Sequence, residues 1–259
     1  MTGSRSVGRV TLKARAAAGE QLVGALLRMP SEELVEMAAV AGLDYVLIDC
    51  EHGSADETSL RHHITVAQLH GMDTLVRVGQ HEPALIQRAL DLGATGIVVP
   101  HVDSAEQAAA AVFATRYPPL GDRGFATYGR TGRFGSVTAR EHLDADVDGT
   151  LTIAMIESRA GCENAAEILA VPGLDGALCG PSDLAVSMGL DSTSDPSLVA
   201  TIAEVHEHVA QGGAIRMDIV GNLDRVRDSF AAGAGMVVVN LTSMLMAMFG
   251  DLAAVSRRR

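Results

Sequence analysis

Apolar residues in this chain come in short runs, each closed by polar groups. Tyr45-Val46-Leu47-Ile48, set between Gly42 and Gly53, stops at Asp49-Cys50-Glu51-His52. Thr74-Leu75-Val76 stops at Arg77, Ile153-Ala154-Met155-Ile156 stops at Glu157, and 175–179 runs into Gly180-Pro181-Ser182-Asp183. Runs of this kind read as strands of a parallel sheet, buried on both faces. Helix signals lie between them. Ser31 with Glu32 and Glu33 begins a helix that Gly42 ends. Asp56-Glu57 begins another that Gly71 ends, and Pro83 lies in the first turn of a third, followed by Gly93. The pattern predicts strands near 21–27, 44–49, 73–78, 96–100, 151–157, 175–179, 213–218 and 235–240. It predicts helices near 31–42, 56–71, 82–92, 104–115, 161–170, 196–211, 222–232 and 242–254. Alternation of this kind through 259 residues predicts an α/β fold, a (β/α)8 TIM barrel occupying 1–259 as one domain, with a doubly wound open sheet as the alternative.

One stretch, 116–150, breaks the rhythm. It holds Arg116-Tyr117-Pro118-Pro119, repeated glycines, and Arg123, Arg130 and Arg133. Excursions of this length in compact domains act as lids or interface segments, so it is expected to cover the pocket or a neighbouring subunit.

Composition narrows the chemistry. The chain is 47% hydrophobic but only 3% aromatic, without Trp, so its core must be aliphatic. A net charge of −12 argues against nucleic-acid binding, and the basic end Arg257 to Arg259 reads as a solvated tail. Cys50, Cys162 and Cys179 form neither a disulfide framework nor a CxxC site and suit a reduced cytoplasm. Residues 1–20 show no signal-peptide core, and no apolar run reaches the ~20 residues of a membrane span. The single lysine, Lys13, precedes the first predicted strand. An imine-forming enzyme needs a lysine in its pocket, so Schiff-base and pyridoxal phosphate chemistry are not expected.

The polar strand ends are the candidate site, because parallel barrels place their chemistry there. Glu157 and Asp183 close two strands; converging carboxylates repel, and a divalent cation with Mg2+ or Mn2+ habits relieves the conflict. Taken alone, Asp183 also reads as a helix N-cap. Backbone N–H groups after Gly180 suit a substrate carboxylate. Arg77 suits an oxyanion, or a structural ion pair with Asp49 or Glu51. His52, with Asp49 three residues earlier and Glu51 beside it, suits proton transfer. His101, after Val99-Pro100, is a second-rank pocket candidate, while His81 and His142 read as solvated. Together these groups suggest metal-assisted enolate chemistry on a 2-oxo acid.

In order along the chain, Leu43 to His52, Val76-Arg77-Val78, Ala89 to Ala94, Arg116-Tyr117-Pro118-Pro119 with Arg123-Gly124, Met155-Ile156-Glu157 and Gly180 to Leu184 resemble the HpcH/HpaI aldolases. These are metal-dependent pyruvate aldolases of the phosphoenolpyruvate/pyruvate barrel superfamily. The resemblance implies reversible cleavage of a 4-hydroxy-2-oxo acid to pyruvate and an aldehyde. It implies Glu157 and Asp183 as ligands of Mg2+ or Mn2+, with Co2+ also admitted. His52 becomes the acid/base paired with Asp49, and Arg77 binds the oxo group. Gly180, Ser182 and Asp183 supply substrate contacts through backbone N–H groups, and Asp91 approaches a neighbouring active site. It further implies a last helix exchanged between subunits and a hexamer built as a trimer of dimers, which the Met-rich run Leu241 to Phe249 suits. Leu26 and Met155 depart from the aromatic residue and the Gln that many relatives carry. The alternative within the family is a citrate-synthase-like condensation of oxaloacetate with an acetyl thioester in siderophore biosynthesis, for which the arginines of 116–133 offer anion partners.

Overall fold

A computed structural model describes residues 10–54 and 56–256, with only the backbone of Asp148. The Arg257–Arg259 tail and the outer ends of the 1–259 assignment lie outside the described residues. Eight parallel strands close into a barrel in chain order: β1 (Leu22–Leu27), β2 (Tyr45–Asp49), β3 (Asp73–Arg77), β4 (Gly96–Val99), β5 (Leu151–Ile156), β6 (Gly176–Cys179), β7 (Ile215–Val220) and β8 (Met236–Asn240). β8 pairs with β1, which excludes the open sheet.

The helices are α1 (Leu12–Ala17), α2 (Glu32–Val40), α3 (Glu57–Leu69), α4 (Pro83–Leu92), α5 (Ala105–Thr115), α6 (Ala139–Gly149), α7 (Arg159–Glu163), α8 (Ala165–Leu169), α9 (Pro181–Ser187), α10 (Pro196–Gly212), α11 (Leu223–Ala231) and α12 (Leu241–Ser256). The helix expected over 161–170 is thus two short ones, broken at Asn164.

Side-chain alternation explains how the barrel is filled and where its site falls. Leu22 and Leu26 of β1, Tyr45 and Leu47 of β2, Leu75 of β3, Val98 of β4, Leu151, Ile153 and Met155 of β5, Leu178 of β6, Met217 of β7, and Met236 and Val238 of β8 form the interior cluster. The alternate residues, such as Val46, Ile48, Val76 and Ile97, pack outward with α2, α3 and α4. Tyr45 is fully buried because Gly24, its register partner on β1, has no Cβ to overlap the ring. Leu12 and Ala16 of α1 join the interior cluster from the foot of the barrel. Lys13 on the same helix pairs with Asp175, just before β6, at 2.8 Å.

The excursion after α5 is pinned rather than loose. Buried Arg123 donates to Asp91 of α4 and Asp146 of α6, both at 2.7 Å, and stacks over the Tyr117 ring. His142 is not solvated as expected: it is buried on α6, 2.9 Å from the Tyr117 hydroxyl. α6 itself escapes periodicity reading, since its sequence is mostly polar; Thr138 and Glu141 nevertheless form a capping box at its start. After β8, α12 packs against β1 and leaves Met244, Met246, Met248, Phe249, Leu252 and Val255 exposed. Among the described residues no helix is long and apolar enough to cross a membrane.

Candidate active site

Continuing the inward alternation by one step past the apolar interior yields the site. Leu26 leads to Arg28, Leu47 to Asp49, Leu75 to Arg77, Met155 to Glu157 and Leu178 to Gly180. One end of the barrel is therefore floored by aliphatic side chains and ringed by charge.

Asp49 is the structural hub. It is fully buried and lies opposite Arg77 in the β2–β3 register. Arg77 donates through Nε to Oδ1 at 2.9 Å and through Nη2 to Oδ2 at 2.5 Å, a two-pronged guanidinium–carboxylate pair. Arg28 adds a third donor at 2.9 Å. The backbone N–H groups of Glu51 and His52 donate to Oδ1 at 3.2 and 3.1 Å. Burial pushes the Asp49 carboxyl up, but the Arg77 hydrogen bonds and charge, with the His52 N–H and Arg28, outweigh it and hold the group below the usual range. The expected pairing of Asp49 with His52 is present, but to the backbone N–H. The imidazole, 55% exposed, has Glu51 as its carboxylate neighbour, with Nε2 3.7 Å from Oε2.

Glu157 stands across the mouth, almost completely buried. Its Oε1 accepts the His101 backbone N–H at 2.8 Å, and its Oε2 occupies space that a Cβ at Gly180 would fill. Burial, and after it the charges of Asp183 and Glu51, hold the Glu157 carboxyl above the ordinary glutamate range despite the opposing His101 contacts. Glu51, His101 and Glu157 bring one ligand atom each within 4.8 Å of one another. Glu51 Oε2 is buried without a hydrogen bond, although Arg77 Nη1 stands 3.2 Å away. Crowded carboxylates, a ring nitrogen and an unsatisfied buried oxygen fit a divalent cation.

Asp183 is exposed in the first turn of α9 and lies outside that three-residue cluster. It is not the N-cap: Gly180 holds that position without a side-chain cap bond, and Pro181 begins the helix. The N–H groups of Ser182 and Asp183 therefore fall at the helix start, where no carbonyl of the helix accepts them. Asp91, expected to reach a neighbouring site, has its carboxylate held by Arg123. Arg116 is likewise committed, to Asp175 at 2.6 Å and the Thr150 carbonyl at 2.8 Å, and Arg130 to Gln68 at 2.7 Å.

The sequence alone ranks His101 second, offers Glu51 only as a neighbour of His52 or a partner of Arg77, and gives no role to Arg28. A basic or acidic residue at the inward step after a strand was the available signal. A cavity of about 420 Å3 between α4 and α5 borders the cluster at His101 and is lined by Val78, His81, Ile86, Val99 and Ala110. A second, of about 480 Å3, lies further along the same helices at Gln87, Phe113 and Arg123, away from the charged ring.

The family model described as HpcH/HpaI aldolase/citrate lyase matches residues 25–247. The 2-dehydro-3,6-dideoxy-6-sulfogluconate aldolase of Pseudomonas putida is 34% identical over 244 residues, covering 89% of this chain and 94% of that one. The 2-keto-3-deoxy-L-rhamnonate aldolase of Escherichia coli K12 is 33% identical over 236 residues, covering 90% and 87%. The crystal structure of an HpcH/HpaI aldolase from Desulfitobacterium hafniense DCB-2 matches with a TM-score of 0.91 at 29% identity, over 97% of this chain and 98% of that one.

Proposed function

Because this chain belongs to the HpcH/HpaI aldolase/citrate lyase family and is an aldolase of it, we propose that it cleaves a 4-hydroxy-2-oxo acid of the 2-keto-3-deoxy sugar-acid type, reversibly, to pyruvate and an aldehyde. One observation carries this reading: Arg77 adjoins the Glu51, His101 and Glu157 cluster, with its Nη1 3.2 Å from Glu51 Oε2, above an aliphatic floor. Glu157 and Asp183 are the carboxylates that would hold the cation. When bound, a divalent cation such as Mg2+, Mn2+ or Co2+ supplies Lewis-acid polarisation of the oxo group.

The other roles belong to side chains and backbone. Asp49 takes Nε and Nη2 of Arg77, so Nη1, which lies beside Glu51 Oε2 and the Met155 sulfur, is the donor that would turn to the oxo oxygen. The N–H groups of Ser182 and Asp183, after Gly180, receive the substrate carboxylate. His52 takes the proton from the C4 hydroxyl, the C3–C4 bond breaks and the aldehyde leaves; C3 of the pyruvate enolate then takes up one proton as His52 gives up the one it holds, which restores the site. The condensing alternative loses two of its anion partners, since Arg116 and Arg123 are bound to carboxylates within the chain; Arg130 contacts Gln68 and Arg133 is exposed. The free thiols of Cys50, Cys162 and Cys179 agree with a cytoplasmic setting.

Pyruvate release from 2-keto-3-deoxy acids, with added Mg2+, Mn2+ or Co2+ and again with EDTA, tests the reaction. Metal-dependent release is expected, and His52→Ala should slow it by roughly 10²–10⁴ while keeping the metal. Release of coenzyme A from an acetyl thioester and oxaloacetate, with no pyruvate from any oxo acid, would move the assignment to the condensing branch.

The exposed apolar side chains of α12, with Phe125, Tyr128 and Phe134 on the excursion, support a homo-oligomer in which α12 packs on a second copy. A hexamer, a trimer of dimers, is expected by sedimentation. Met248→Glu with Leu252→Glu should shift the protein to smaller species; a wild-type monomer at micromolar concentration would remove this part of the reading.

A further inference from the structure

We propose that His101 is itself a ligand of the divalent cation, through Nδ1, with Glu51 holding its other ring nitrogen. This adds a nitrogen donor to a site otherwise built of oxygens. The inference rests on the aldolase reading only for the presence of a cation at Glu157.

The backbone prepares His101 for this position. It follows β4 and Pro100 with φ at +53°, the left-handed region that only a few per cent of non-glycine residues adopt, chiefly Asn, Asp and His. Two hydrogen bonds peg this turn onto β5: the His101 N–H to Glu157 Oε1 at 2.8 Å and the Val102 N–H to the Met155 carbonyl at 3.0 Å. Such a conformation persists only where its surroundings fix it, and it is concentrated at functional sites. Here the result is a ring lying between two carboxylates.

Nδ1 is 3.2 Å from Glu157 Oε1, and Nε2 is 3.3 Å from Glu51 Oε1. Adjacent ligands on an ion with bonds of about 2.1–2.2 Å are themselves about 3 Å apart, so the first distance is that of neighbouring ligands. The second matches the usual habit of a metal-bound histidine, whose other ring nitrogen donates to a carboxylate that fixes tautomer and orientation. Glu51 is placed for that purpose, 11% exposed and flanked by Arg77 at 3.2 Å. An imidazole donor favours Co2+ or Zn2+ over Mg2+, which prefers oxygen and retains water.

The test loads the full-length protein with Mn2+ and reads pulsed-EPR modulation from directly bonded nitrogen, repeated on protein carrying 15N-histidine. His101→Asn is the variant of choice, because Asn tolerates positive φ. Nitrogen coupling is expected in the wild type and absent in His101→Asn. By calorimetry, Co2+ affinity should fall at least about tenfold in that variant, with little change for Mg2+. Glu51→Gln, which leaves the strained turn untouched, should lower Co2+ affinity by about 10–100-fold through loss of the ring's orienting partner. Oxygen-only Mn2+ coordination in the wild type, or coupling that survives in His101→Asn, would overturn the proposal. The reaction is scored apart from the ligand: normal pyruvate release with oxygen-only Mn2+ sinks His101 alone, while nitrogen coupling without release from any oxo acid sinks the aldolase reading alone.

Discussion

Glu157→Gln is expected to lose divalent-metal affinity and pyruvate release together, while the metal-free variant remains at least as stable as the wild type. The activity loss should reach roughly 10²–10³ or more, since the substitution removes the anionic group on which the cation site converges. The stability result has a separate origin. Burial and the nearby Asp183 and Glu51 carboxylates make the ionised form of Glu157 unfavourable in the folded protein. A carboxyl whose folded pKa lies above its unfolded one binds more protons when folded, so its contribution declines as pH rises through the folded value. The metal-free wild type should therefore lose stability relative to Glu157→Gln as pH rises above the ordinary glutamate range. Equilibrium dialysis for metal and Tm against pH for both proteins check the two halves. Tight metal binding and full turnover in the variant would remove Glu157 from the site.

Asp49→Ala should have the larger effect on folding. The change leaves the Arg77 guanidinium buried without its partner, together with the Arg28 donor and two N–H groups. Breaking a buried pair from one side costs about 3–5 kcal/mol. For a chain of this size that is a fall in Tm on the order of 10 °C. The sign with pH is the reverse of that for Glu157. Asp49 is held below its ordinary range, so its stabilisation is present above the unfolded aspartate pKa of about 3.9 and is lost as pH falls through the lower folded value. Urea midpoints at pH 7 and in the acid limb should show the gap between wild type and variant narrowing only below about pH 4. A gap that stays constant to pH 2 would mean that the Asp49 charge is not what stabilises the barrel mouth.

The strands were legible because both faces are covered. Val46 and Ile48 pack outward on helices while Tyr45 and Leu47 pack inward, so the run is apolar without gaps. The site was half legible for a related reason: polar residues stand out where such runs end. What the sequence cannot display is which inward-facing neighbours meet across the barrel. Asp49 is near His52 in sequence, yet its carboxylate is filled by Arg77 and Arg28 from adjacent strands. His101 owes its place to a left-handed turn pegged to β5, a tertiary constraint with no local signature. α1 is too short to display a helical period, and α6 buries too little. Arg116 and Arg123 looked like ligands for an anion; the chain itself supplies the carboxylates, Asp175, Asp91 and Asp146.

The lone lysine offers a practical handle. Lys13 sits beside Asp175 at the foot of the barrel, with Thr150 before β5 also in reach, whereas Glu157 follows the other end of that strand, roughly 20 Å away. Amine-reactive reagents therefore meet one side-chain target, on the face opposite the charged mouth. A support or fluorophore coupled there would attach on the side of the subunit away from the charged mouth and leave Arg77 and Glu157 untouched.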